Sequence, residues 1–194
     1  MSAILDPIAE FADLFERAKA VEDGDVTACA LATADAQGTP AVRMVLLKAF
    51  DERGFVFYTN YGSRKALELE VNPNAALCFF WEGLGRQVRI EGAVERVSEE
   101  ESDAYFASRG RQSRIGAWAS KQSQELDSRT RLLRRVAEFE LRFAVGSIPR
   151  PSFWGGYRIR PVRIEFWSSQ LHRLHDRRLF TKRADGWRMQ RLYP

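Results

Sequence analysis

Arg173, His175 and Arg177 stand at alternate positions just after Trp167, in the segment FWSSQLHRLHDR. In an extended strand, residues two apart share a face. The spacing therefore predicts one wall carrying two guanidinium groups and an imidazole beside an aromatic ring. Such a wall can hold an anion or a cofactor, and its histidine is a candidate acid/base helper. A second cationic group stands at Ser63-Arg64-Lys65, where Ser63 can cap a helix that Pro73 stops. Positive charges in a first helical turn oppose the helix dipole. An anion at the free N–H groups removes that conflict, so this is a candidate phosphate site. The chain has two histidines, His172 and His175. Only one carboxylate, Asp176, lies near them, too few ligands for a metal centre, and no metal is expected. There is no GxGxxG, Walker loop or HExxH.

These residues need elements to position them. Asp6-Pro7 reads as a helix start, with Ile8, Phe11, Leu14, Phe15 and Ala18 at helical spacing up to about residues 22–24. Short apolar or alternating runs then predict strands at 27–34, 40–50 and 54–60. Arg43 and Lys48, an odd offset apart within 40–50, fall on opposite faces of that strand. Residues 75–82 and 86–97 read as a hairpin. Ser98 and Glu101 form a capping-box pattern opening a helix to about Arg109. RIGAWAS is a short helix, and a long one spans about 128–145, with arginines 129, 131, 134 and 135 as its solvated face. A Pro/Gly-punctuated segment leads into a strand at about 157–168, and Asp185-Gly186 marks a final hairpin. Strands outnumber helices and sequence neighbours read as antiparallel. The expected fold class is mainly β (α+β), an antiparallel barrel with helices packed around it.

Composition bounds the function. With 194 residues, 45% apolar and 29% charged, the chain suits one soluble domain. No stretch approaches the roughly 18–20 apolar residues of a membrane span. No signal peptide is read at the N-terminus, so a cytoplasmic location is expected. Cys29 and Cys78 lie in apolar runs and are expected to be reduced and buried. The net charge of +4 suits an anionic partner. Arg158, Arg160 and Arg163 stand among aromatics, but acids are interleaved throughout and no basic patch is concentrated enough to favour nucleic acid.

Several segments taken together resemble the pyridoxamine 5′-phosphate oxidase family: RMVLLK (43–48), VFYTNYGSRKA (56–66), RQVRIEG (86–92), YFASRGRQSRIGAWASKQS (105–123), RPSFWGGYR (150–158), IEFWSSQLHRLHDR (164–177) and GWRMQRLYP (186–194). The resemblance covers nearly the whole chain. It implies an FMN-binding split β-barrel, one domain over 1–194 with a dimerisation segment at about 150–194, and a homodimer with FMN at the subunit interface. It implies FMN-dependent oxidation of pyridoxamine 5′-phosphate and pyridoxine 5′-phosphate to pyridoxal 5′-phosphate, with O2 as acceptor and H2O2 as product. The alternative is another split-barrel flavin-dependent oxidoreductase, such as a relative from phenazine biosynthesis.

The same resemblance implies roles. Arg43, Arg64, Lys65, Gln122 and Ser123 would contact the FMN phosphate and ribityl chain. Met44, Val45, Leu46, Leu47 and Lys48, with Tyr58 and Thr59, would line the flavin. Gln87, Trp167 and Arg177 would complete its contacts, some from the second subunit. Lys48, Tyr105, Arg109 and Ser113 would clamp the substrate phosphate. Arg173, Leu174 and His175 would flank the substrate ring, with Arg173 and His175 as the catalytic pair. Two departures stand out. Five residues precede Asp6, so an N-terminal lid is expected to be absent or very short. Gly110 stands where relatives are expected to carry proline, which predicts a more flexible clamp loop.

Overall fold

Asp6 begins the first element as its residue type predicts. In the computed structural model, which describes residues 6–194, its carboxylate accepts from the N–H groups of Ile8 and Ala9 at 2.9 and 3.1 Å. Helix α1 runs Pro7–Val21 and buries Phe11, Leu14, Phe15 and Ala18. Phe11 lies 4.9–5.8 Å, ring centre to ring centre, from Phe15, Phe50, Phe55, Phe79 and Trp81. Several of these contacts are edge-on, a geometry that stabilises by roughly 0.5–1.5 kcal/mol each beyond the area buried.

The strands are β1 (Ala28–Ala34), β2 (Pro40–Leu46), β3 (Ala49–Asp51), β4 (Gly54–Asn60), β5 (Asn74–Trp81), β6 (Arg86–Arg96), β7 (Trp154–Ser168), β8 (Asp176–Arg183) and β9 (Gly186–Leu192). All pair antiparallel, in the order β2-β1-β5-β6-β7-β4-β3, with β8 added to β7 and β9 to β8. The single strand expected at 40–50 is broken at Leu47-Lys48. The reason is closure of the sheet: the Leu47 N–H donates to the Thr27 carbonyl and the Lys48 N–H to the Val56 carbonyl, both at 2.8 Å. Consecutive residues thus bond to opposite ends of the strand order, and the sheet curls into a split barrel. Lys48 sits at the seam, so strand parity does not set its direction.

β7 begins three residues earlier than expected and changes neighbour midway. Residues 154–159 pair with β4 and residues 163–168 with β8. Between them Val162 is bulged out of the β6 ladder, next to Pro161, which has no N–H to contribute. Opposite the bulge, a Cβ on Gly92 would stand 1.9 Å from the Arg160 carbonyl oxygen. Only glycine permits that approach.

The helices are α2 (Arg64–Val71), α3 (Glu99–Ser108), α4 (Arg111–Ala119) and α5 (Arg129–Arg142). Two caps differ from expectation. Ser98 accepts from the Glu101 N–H at 3.1 Å, but Glu101 closes no box: its carboxylate takes buried Arg158 at 2.6 Å. Ser63 makes no side-chain cap on α2; its hydroxyl faces Thr59 and Lys65 instead. The arginine face of α5 is not wholly solvated, because Arg135 donates to the Ala119 carbonyl at 2.8 Å and fastens α5 to α4. Both cysteines are free thiols, but only Cys29 is fully buried. Its burial pushes the pKa up to about 12.

The largest departure lies at 170–175. No extended strand carries Arg173, His175 and Arg177. Leu171–Arg173 is a 3-10 turn, and His172 and Arg173 both adopt left-handed backbone at φ 56° and 62°. β8 starts only at Asp176. Histidine tolerates this conformation better than most residues, so the turn redirects the backbone before the strand begins.

Candidate active site

A cavity of about 670 Å³ opens where the barrel seam meets α3 and α4. Its floor comes from Met44, Val45 and Leu46 of β2 and from Tyr58, Thr59 and Asn60 of β4. Lys48 reaches it from the seam, Lys65 from the first turn of α2, Tyr105 from α3, Arg109, Gly110 and Ser113 from the α3–α4 corner, and Gln122 from the segment after α4. Among the described residues no carboxylate or histidine lines it, while Lys48, Lys65 and Arg109 do. A cavity with three cations and no acid selects anions.

Two ends of the cavity carry cations that have no carboxylate partner among the described residues. At one end Lys65 is only 8% exposed. Its ammonium donates to Thr59 Oγ1 at 3.2 Å, Gln122 Oε1 at 3.3 Å and Ser63 Oγ at 3.5 Å, and it has no carboxylate partner among the described residues. Burial first, and the Arg43 charge second, hold its pKa below the usual lysine range. A buried ammonium held only by neutral oxygens is a site prepared for an anion. At the other end Arg109 lies with its guanidinium carbon 4.7 Å from the Trp154 ring centre. Its Nη1 is buried without a hydrogen-bond partner among the described residues, and burial lowers its pKa. Tyr58, Tyr105 and Trp154 stack near-parallel, Tyr58 lying 4.0 Å from Tyr105 and 5.4 Å from Trp154. Burial pushes both tyrosine hydroxyls up, so they stay protonated. They can donate hydrogen bonds but cannot serve as bases near neutrality.

Eleven of the residues implied by the family resemblance meet here: Met44, Val45, Leu46, Lys48, Tyr58, Thr59, Lys65, Tyr105, Arg109, Ser113 and Gln122. Leu47 faces the core. Arg43 and Arg64 lie just behind the Lys65 end, both bonded to Glu68. Ser123, in left-handed backbone at φ 69°, is exposed beside Gln122. The cavity does not take in Gln87, Trp167, Arg173, Leu174, His175 or Arg177. Gln87, Trp167 and Arg177 are cross-strand neighbours on β6, β7 and β8, and Arg177 donates to Glu165 at 2.8 Å. His175 lies 4.5 Å from the Trp167 ring centre, its Nδ1 accepts from the Gln170 N–H, and Arg173 and Leu174 lie in the turn before β8. Asn60 and Trp154 line the cavity without having been singled out as site residues. Both sit inside the segments that carry the resemblance, and Trp154 precedes the Gly155-Gly156 pair that admits Tyr61 and Tyr58 at close range.

Gly110 leads into α4 with φ −55° and ψ 147°, values proline adopts. Its N–H donates no bond to the backbone among the described residues, and a Cβ there meets nothing within 4 Å. Arg109 before it has ψ 144°, as a residue before proline requires. Gly110→Pro is therefore expected to stabilise the protein by about 0.4–1 kcal/mol, read by denaturant unfolding. A loss of stability would show that the clamp corner needs glycine's freedom.

A closed-seam antiparallel sheet with this cavity defines a split-barrel protein built to take anionic small molecules. The chain belongs to the pyridoxamine 5′-phosphate oxidase family. Residues 16–143 match the family described as pyridoxamine 5′-phosphate oxidase, and residues 154–194 match the pyridoxine 5′-phosphate oxidase C-terminal dimerisation region. A protein of Brucella anthropi named pyridoxine/pyridoxamine 5′-phosphate oxidase is 59% identical, over 97% of this chain and 94% of its own. One of the same name from Rubrobacter xylanophilus is 57% identical, over 97% and 87%. Among solved structures, PhzG from Burkholderia lata in complex with tetrahydrophenazine-1-carboxylic acid is similar, with TM-score 0.92, 31% identity, and 100% and 95% of the two chains covered. An FMN-binding, pyridoxamine 5′-phosphate oxidase-related protein of Nostoc punctiforme shares the fold, with TM-score 0.78 and 18% identity over 98% of each chain. Among the described residues no helix is long and apolar enough to cross a membrane.

Proposed function

We propose that this protein is an FMN-dependent oxidase converting pyridoxamine 5′-phosphate and pyridoxine 5′-phosphate to pyridoxal 5′-phosphate, with O2 as acceptor and H2O2 as product. The observation that carries the reading is the acid-free cavity with a cation at each end, buried Lys65 and half-buried Arg109, that has no carboxylate partner among the described residues. Two phosphorylated ligands, cofactor and substrate, need two such ends. Arg43, Arg64, Lys65, Gln122 and Ser123 would hold the FMN phosphate and ribityl chain, and Met44, Val45, Leu46, Tyr58 and Thr59 would line its ring. When bound, the flavin supplies a two-electron acceptor that oxygen regenerates. Lys48, Tyr105, Arg109 and Ser113 hold the substrate's phosphate. Binding energy from this remote group fixes the reacting carbon and is the chain's main contribution to rate.

The cavity carries no side-chain base, and His175 and Arg173 lie outside it. Phe80, Gln87, Trp167 and Arg177 form one row from β5 to β8, and five strand spacings, about 24 Å measured along the curled sheet, separate β8 from β2. Leu46 of β2 lines the cavity and Arg177 of β8 does not. Val42, Met44 and Phe80, on the same face, are 70%, 65% and 59% exposed, an apolar patch suited to a second copy of the chain. The protein is on this reading a cytoplasmic homodimer of single-domain subunits, in which Gln87 of β6 and, from the segment at about 150–194, Trp167, Arg173, Leu174, His175 and Arg177 complete the partner's site. Arg173 would steady charge on the substrate ring and His175 would move its proton.

A second reading, oxidation of a phenazine precursor, draws on the likeness to PhzG. The higher identity to the vitamin B6 enzymes favours the first. Anaerobic addition of pyridoxine 5′-phosphate to the FMN-loaded protein should bleach the band near roughly 450 nm, and air should restore it with peroxide formed. A flavin that stays oxidised with this substrate but bleaches with tetrahydrophenazine-1-carboxylic acid would establish the second reading. A protein that cannot be loaded with FMN would sink both.

A further inference from the structure

Glu68 lies inside α2 with its side chain 6% exposed, yet it touches no substrate-facing surface of the cavity. Its two oxygens are divided. Oε1 accepts from Arg64 Nε at 2.7 Å. Oε2 accepts from Arg43 Nη2 at 3.0 Å and from the Thr33 hydroxyl at 2.5 Å. Thr33, itself 4% exposed, also accepts from Arg43 Nη1, and the Leu31 carbonyl takes the same nitrogen at 3.4 Å. Arg43 on β2 and Arg64 on α2 are thus tied to one buried carboxylate and to β1. Only Nε of Arg64 is engaged, so its two terminal amino groups remain without partners among the described residues. An isolated buried carboxylate is costly, whereas one that receives three donors is held in a single arrangement.

We propose that Glu68, braced by Thr33, is a positioning residue for the cofactor's phosphate: it fixes Arg43 and Arg64 beside Lys65 so that the three cations receive a phosphate monoester. The inference rests on the FMN reading above. Charge supports it. Three cations, Arg43, Arg64 and Lys65, less one carboxylate leave a net charge of +2. A phosphate monoester carries about −1.5 to −2 at neutral pH, so the occupied end is close to neutral.

The test compares two flavins that differ only in the phosphate. The full chain, freed of flavin, is titrated with FMN and with riboflavin, following quenching of flavin fluorescence. Glu68→Gln is expected to weaken FMN binding about tenfold, the equivalent of one misplaced charge-assisted hydrogen bond, and to leave riboflavin binding within about twofold. Thr33→Val, which keeps the residue's shape, should shift the same ratio in the same direction and serves if Glu68→Gln does not fold. An unchanged ratio, an equal loss for both flavins, or tighter FMN binding in the variants would overturn the inference while the FMN reading stands. Wild-type protein that binds riboflavin as tightly as FMN would overturn both.

Discussion

Replacing Arg109 by alanine is expected to lower kcat/KM for pyridoxine 5′-phosphate by about 10²-fold while flavin stays bound. The guanidinium is half buried against Trp154, and its Nη1 has no partner among the described residues. A substrate phosphate would supply the missing acceptor with charge-assisted hydrogen bonds worth roughly 1.5–3 kcal/mol each. Arg109→Lys should recover little, since an ammonium can neither lie flat on the indole nor give a forked contact. Steady-state kinetics paired with flavin absorbance checks the assignment. Loss of flavin from Arg109→Ala, or unaltered kcat/KM, would remove Arg109 from the substrate's phosphate. The variant also tests how the site is shared. Arg109→Ala breaks the cavity half, and Arg173→Ala breaks the half proposed to come from the partner. Unfolding and refolding the two inactive variants together makes half the dimers mixed, each with one intact site, so roughly a quarter of wild-type activity should return. No recovery from refolded dimers would place both residues in one subunit's site.

Local rules explain why much of the fold is legible in the sequence. Asp6-Pro7, the strand Gly54–Asn60 and the Asp185-Gly186 hairpin follow from residue types that act within a few positions. What escapes depends on distant partners. Nothing in the extended, apolar run 40–50 marks Leu47-Lys48 as the place where two edges of one sheet meet. The alternation of Arg173, His175 and Arg177 fits a strand; the left-handed turn at His172 and Arg173 that replaces it has no local signal beyond histidine's tolerance. Ser63 has a cap's residue type but spends its hydroxyl on the Lys65 cluster. Glu68 reads as one more polar residue of a short helix, and only tertiary structure brings Thr33 and Arg43 to it. No spacing rule joins Lys48 and Gln122 to Tyr105 and Arg109, which alone share a helix and its C-cap at i,i+4 spacing. Their membership in one site is legible through the family resemblance alone. The charge conflict at Arg64-Lys65 is the exception, because two cations in one helical turn point to an anion by residue type and position alone.

That conflict yields the second large effect. Lys65→Met should raise the melting temperature of the flavin-free protein and weaken FMN binding by about 10²-fold, the loss of charge-assisted contacts to phosphate. Both follow from one fact: the buried ammonium is held by neutral oxygens only, so without an anion its charge is a burden that an apolar side chain of similar length lacks. The pH dependence follows from the lowered pKa. Between the folded-state value and the usual lysine range, the unfolded chain holds more protons than the folded one, so this group's penalty is full at lower pH and relieved as pH rises through that window. FMN affinity moves the opposite way, because the phosphate needs the proton that is being lost. Wild-type affinity should therefore begin to fall at a pH below the usual lysine range, and Lys65→Met should lack that alkaline decline. Fluorescence titrations of FMN across pH measure both, with the thermal melt of flavin-free protein as the companion. If the variant binds FMN as tightly as wild type, Lys65 does not hold the phosphate. If it binds weakly and also melts lower, Lys65 supports the fold, and the unpaired charge is not the strain that phosphate relieves.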